Sequence, residues 1–154
     1  MNTKRAALAG LVATAVMTAL WLVEPQLGLA RLAVGNILST LLAVATAYAS
    51  VGPAVGWTIH LVIGVTLALI YAAAFVGRLP GPPITRGLLY GLLIFLLAQL
   101  VFAPLVGAGT FSRGDPPTLI GSLIGHLVYG GLLGAIYGRG SSESRTGKSS
   151  VRMA

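Results

Sequence analysis

Two histidines, His60 and His126, are the residues of this chain best suited to chemistry. Each lies inside a long apolar run, and their surroundings agree: His60-Leu61-Val62-Ile63-Gly64 against His126-Leu127-Val128-Tyr129-Gly130. Neutral imidazoles bind metal ions, and a pair of them can hold one haem iron axially. A buried imidazole can also handle a proton or contact a substrate, because ionisable groups in membranes concentrate at functional sites. The structural alternative is a ring that donates one hydrogen bond across a helix contact and is thereby satisfied. Spacing leaves these readings open, with haem a possible cofactor and the identity of any metal unknown.

Fewer polar side chains accompany the histidines than an active site needs. Gln99 is the most polar side chain of its apolar run and is expected to bond to a neighbouring helix. Glu24 and Asp115 stand at the ends of apolar runs, and neither is spaced to pair with another acid or a histidine. Thr14, Thr18 and Thr66 can bond back to their own helices. Tyr71 and Tyr137 fall at one set of helix ends and Trp21 and Trp57 at the other, which suits anchoring at headgroup level. No motif unites an acid, a nucleophile and a base in one layer, so catalysis is not expected and no catalytic residue is assigned.

The elements that carry these residues follow from composition. Apolar residues make up 56% of the 154-residue chain and charged residues only 8%, too few to cover a soluble fold. Lipid removes that need. The net charge is +7, but the basic residues flank apolar runs without interleaved aromatics, which favours a membrane flank over nucleic acid. Cysteine is absent, so thiol chemistry and disulfides are excluded. Strong apolar runs cover residues 6–23, 56–76, 86–102 and 119–137, each near the ~20 residues that cross the hydrocarbon core. The first is too long for a signal-peptide core and is read as a retained helix. Residues 28–50 are apolar but interrupted by Arg31, Asn36, Ser39 and Thr40, and are expected to form an external or re-entrant helix, with a fifth span as the alternative. Residues 139–154 are rich in Ser, Arg and Gly and read as a disordered tail.

Charge sets the threading. With four spans, Lys4, Arg5, Arg78, Arg86, Arg139, Arg145, Lys148 and Arg152 share one side, and only Arg31 and Arg113 lie opposite. This places both termini in the cytoplasm. The expectation is therefore an all-α polytopic membrane helical bundle over residues 1–138, in the cell (inner) membrane, with a cytoplasmic tail.

The histidine match is part of an internal repeat. It extends through Leu67 with Leu133, Ile70 with Ile136 and Tyr71 with Tyr137 at one constant offset, and Arg5 and Gly10 more weakly match Arg86 and Gly91. Two repeated helical hairpins are expected, over residues 5–77 and 86–138, related by an axis along the membrane normal. Residues four apart share a helix face. Gly56, His60, Gly64, Ala68 and Ala72 form one small-residue stripe, and Ser122, His126, Gly130, Gly134 and Gly138 its repeat mate. Such stripes allow close backbone approach, so the second and fourth spans are expected to meet along them.

The opening Leu8-Ala9-Gly10-Leu11-Val12-Ala13-Thr14, the Gly56-Trp57-Thr58-Ile59-His60 block, Leu79-Pro80-Gly81-Pro82-Pro83, Arg86-Gly87-Leu88-Leu89-Tyr90-Gly91 and Gly125-His126-Leu127-Val128-Tyr129-Gly130 together resemble a family of small bacterial and archaeal membrane proteins of unknown function. The resemblance implies four helices and supplies no activity. Function is expected to be that of a structural or accessory subunit of a larger membrane complex, contacting lipid and other membrane subunits or a second copy. A bis-histidine haem protein for electron transfer and a small transporter or channel are the alternatives.

Overall fold

The computed structural model describes residues 1–29, 52–105 and 107–150, apart from the side chains of 52–53 and 139–150. The first helix, α1, spans Thr3–Val23. The Asn2 side chain caps it by accepting from the Arg5 amide at 3.0 Å. Its buried residues are Ala6, Ala9, Gly10, Ala13, Thr14, Met17 and Trp21, a three-and-four spacing that defines one face. A 3-10 turn, Glu24–Leu27, extends the helix. Pro25 brings no amide hydrogen to the α ladder, which fits the change from α to 3-10 winding there. Gly28, at φ +76°, ends it in the left-handed conformation that glycine adopts without strain.

Helix α2 spans Gly52–Ile70 and runs into a π turn, Tyr71–Phe75. Helix α3 spans Pro83–Leu97 and continues through a second π turn, Ala98–Phe102, and a last α turn, Ala103–Leu105. Pro104 explains the widening: it brings no amide hydrogen to the ladder and crowds the carbonyl one turn back. A short turn, Thr110–Gly114, leads to α4, Pro116–Ser150. Asp115 caps α4 by accepting from the Thr118 amide at 3.1 Å.

Among the described residues, four stretches are long and apolar enough to cross a bilayer: Thr3–Leu27, Ala54–Phe75, Pro83–Leu105 and Pro116–Gly138. Each has 22 to 25 residues, or at least about 33 Å at the helical rise, against a hydrocarbon core of about 30 Å. Bulky apolar side chains point outward along them, including Leu8, Val12 and Val16 of α1, Val62 of α2, Leu92 and Leu96 of α3 and Ile120 and Ile124 of α4. Water would penalise that surface and lipid does not. The fold is an all-α bundle of a multi-pass membrane protein, as composition implied.

Packing fixes the threading of the spans relative to one another. Gly10 of α1 lies against Gly64, Val65 and Ala68 of α2, while Thr14 lies against Gly64 and Trp21 against His60. As α1 advances, its partners on α2 recede, so the two helices are antiparallel. The chain thus leaves α1 and enters α2 at the same end of the bundle, which a single additional crossing between them would prevent. The external or re-entrant helix expected at residues 28–50 lies outside the described residues except for Gly28 and Leu29. Residues 139–150, expected to belong to a disordered tail, continue α4 as helix, and residues 151–154 lie outside the described residues.

Helix α1 packs against both α2 and α4, and α3 packs against α4. This corrects the expected seam between the second and fourth spans. Gly64 faces Thr14 of α1, whereas Gly130, Gly134 and Gly138 face Gly87, Gly91 and Pro83 of α3. The two small-residue stripes do not meet, because the face of α1 separates them. Contact between α2 and α4 is instead made by a long side chain: the Tyr129 hydroxyl donates to the Gly64 carbonyl at 2.7 Å.

Candidate functional site at the Glu24 end

Polar side chains gather at the end of the bundle opposite the N-terminus. The face of α1 that begins with three alanines finishes with Trp21 and then Glu24, both turned inward. Trp21 is 5% exposed and Glu24 1%. Two glycines of α4 make room for them. A Cβ on Gly125 would overlap the Trp21 indole nitrogen, and one on Gly121 would lie 2.6 Å from Glu24 Oε2.

The histidines lie one turn further into the bundle, and both rings pack against Trp21. The Trp21 ring centroid is 5.3 Å from that of His60 and 6.2 Å from that of His126. His60 also meets Trp57 edge-on at 6.0 Å, and His126 meets Phe95 at 6.0 Å. His126 Nδ1 lies 2.7 Å from the Ser122 carbonyl, a bond in which the nitrogen donates, so Nε2 carries the lone pair. The two histidines, expected to stand at equivalent places, are thus brought against one indole.

Gln99 stands at the Glu24 level. Its amide donates to Ser122 Oγ at 3.1 Å, and its carbonyl accepts from Ser112 Oγ at 3.1 Å. The expected bond to a neighbouring helix is therefore present, and a second reaches the turn before α4. That turn is strained: Phe111, Ser112 and Arg113 all have φ between 47° and 55°, a left-handed run that L-residues avoid at about 1–2 kcal/mol each. Arg113 donates to the Gly107 carbonyl and Ser112 to Gln99, which hold the turn in place.

Several buried polar atoms at this end have no hydrogen-bond partner: both Glu24 oxygens, Trp21 Nε1, His60 Nε2 and Thr18 Oγ1. Thr14 and Thr66 do bond back to Gly10 and Val62, as their sequence context suggests, but Thr18 does not. Among the described residues no three His, Cys, Asp or Glu side chains come together as a metal site would require.

The opposite end is aromatic. Tyr71 packs against Tyr90 at 5.1 Å and Tyr137 at 6.2 Å, and Phe75 packs against Tyr90 at 5.0 Å. Tyr71 is 1% exposed. The two tyrosines expected to anchor at the headgroups instead fill the bundle interior, because close packing of α3 on α4 leaves a gap beside α2 that only long side chains span. Tyr90 crosses the same gap and donates to the Leu67 carbonyl at 2.8 Å. Trp21, likewise expected at the interface, is internal for the reason given above. Gly56, Gly64, Ala68, Gly130, Gly134 and Gly138 are all buried as packing positions.

Gly121 is not singled out by motif or repeat, Gly125 enters only within the family motif, and Trp21 and Glu24 read as an anchor and a helix-end acid rather than as inward groups. A signal for two of them was present: the spacing Ala6, Ala9, Gly10, Ala13, Thr14, Met17, Trp21, Glu24 carries one face past the apparent end of the apolar run.

No curated protein and no solved structure matches this chain. A model for a family of unknown function, DUF6789, matches residues 1–147. With four apolar helices and a match spanning nearly its whole length, the chain belongs to the DUF6789 family.

Proposed function

We propose that the protein is a structural or accessory subunit of a larger membrane assembly, threaded with both termini in the cytoplasm. The observation that carries this reading is the direction of its polar groups. Gln99, Ser122, Tyr90, Tyr129 and Thr14 all bond within the bundle, while the outward faces of the spans are apolar. A surface of this kind works by packing against lipid and other apolar helices. Arg5, Arg78 and Arg86 gather at the N-terminal end, where their guanidinium groups donate to the carbonyls of Ile136, Ala74 and Val76 at the ends of the fourth and second spans. That basic end supports the cytoplasmic assignment.

A duplicated hairpin gives this subunit its internal design. Gly10 on Gly64 and Gly91 on Gly130 are equivalent contacts in the repeat, each within its own half. Arg5 reaches the end of the fourth span and Arg86 the end of the second, so each half also ties down the other. The halves diverge where Trp21 and Glu24 fill the space beside α4.

Haem ligation by His60 and His126 has less support, since both rings are packed against the Trp21 indole, which a macrocycle would have to move. Transport draws on the repeat alone. Purification from native membranes in mild detergent tests the reading. Stoichiometric membrane partners are expected, whereas a stable monomer without partners in native membranes overturns it. A Soret band that disappears when both histidines are replaced would favour the haem alternative.

A further inference from the structure

We propose that the Glu24 end of the bundle binds a primary ammonium group that carries an oxygen acceptor nearby, as in the ethanolamine phosphate of a lipid headgroup or its free form. The proposal is independent of whether the protein has subunit partners.

A carboxylate that is 1% exposed and has neither oxygen bonded is costly to keep ionised inside a membrane protein. A cation with N–H donors removes that cost by supplying charge and hydrogen bonds together. Thr18 Oγ1 adds a hydroxyl that can accept, and His60 Nε2 is a further ring nitrogen without a partner at the same end of the bundle. The Trp21 indole packs against His60 at 5.3 Å, and an indole face attracts a cation. Trp21 Nε1 is the complementary group. It can only donate, it is unpartnered, and it faces Gly125 one turn along α4 from the Gly121–Glu24 contact. A ligand that satisfies both ends needs donors at one point and an acceptor about a helical turn away.

Three other classes fit less well. A divalent metal needs more ligands than the described residues converge, and it cannot use an indole N–H. A quaternary ammonium has no N–H to offer the carboxylate or the threonine. An anion would meet Glu24. The depth agrees with a headgroup: Glu24 lies in the terminal 3-10 turn of its span.

The test uses the full chain carrying Trp57→Phe, so that Trp21 is the sole tryptophan. It is reconstituted in phosphatidylcholine nanodiscs with and without phosphatidylethanolamine, and separately with free phosphoethanolamine added to phosphatidylcholine discs. A shift in Trp21 emission that saturates with phosphatidylethanolamine is expected, together with a higher thermal midpoint. The same response to free phosphoethanolamine would identify a soluble amine as an equally good source. Glu24→Gln should weaken the apparent affinity roughly tenfold or more, the loss expected for a charged hydrogen bond, and Thr18→Val should weaken it to a smaller degree. Gly121→Ala, which fills the space beside the carboxylate, should abolish the response while leaving helicity intact. The proposal is overturned if neither amine shifts the emission. It is equally overturned if the response survives in Glu24→Gln, which would mark it as a property of the bulk bilayer. Should Glu24→Gln fail to fold, persistence of the response in folded Thr18→Val and Gly121→Ala at unchanged affinity overturns it.

Discussion

Gln99 shows how one polar side chain can organise a membrane-embedded layer. It bonds to Ser122 on α4 and to Ser112 in the turn ahead of that helix, so its loss releases two partners together. Gln99→Leu should lower stability by about 1–2 kcal/mol, within the range for hydrogen bonds between membrane helices. Ser112→Ala should cost less, since the Gln99–Ser122 bond remains. Reversible unfolding in mixed micelles measures both, and equal losses would show that the turn carries the whole effect. Tyr129→Phe should cost about 1 kcal/mol by removing the only donor that the hydroxyl lends to Gly64. At this scale the sequence was partly legible. Gln99 had to find a partner, because an amide left alone in hydrocarbon is penalised. Glu24 was harder to read, because Pro25 beside it looks like the end of a helix, and the 3-10 turn that carries the carboxylate inward has no marker except the continued face of α1.

Glycine pairs do at the scale of the element what large side chains do in a soluble core. A Cβ on Gly130 would meet the carbonyl of Gly87 and lie 2.8 Å from the Gly91 Cα, so the obstruction is backbone. Its neighbour Gly131 faces only the flexible Leu88 side chain, at 3.3 Å. Gly130→Ala should therefore destabilise by about 1–3 kcal/mol, the usual range for overpacking, and Gly130→Leu should separate α3 from α4 altogether. Gly131→Ala should be neutral or stabilising by up to about 1 kcal/mol, the gain in helix propensity. Unfolding of the matched pair checks this, and similar values for the two would contradict the backbone contact. Residue types made the stripes visible in the sequence. Their partners were not, because a small-residue face announces close approach without naming the helix that approaches. The order of α1 between α2 and α4 depends on Trp21 and Met17 lying over Gly125, a fit of shapes on different elements.

For the whole molecule, the number of spans and their alternation were the most legible features. Four apolar runs of sufficient length leave lipid as the only solvent that suits them. Antiparallel packing of α1 and α2 then sets their relative direction. The basic residues divide unequally between the two ends, and the natural absence of cysteine makes that division easy to test. Single cysteines at Pro80 and at Thr110, both exposed, mark the two ends of the bundle. Intact cells are treated with a membrane-impermeant maleimide before and after permeabilisation. Pro80→Cys should react only after permeabilisation and Thr110→Cys in intact cells. Labelling of both positions from the same side would contradict the antiparallel four-span bundle, and the reverse pattern would contradict its cytoplasmic basic end.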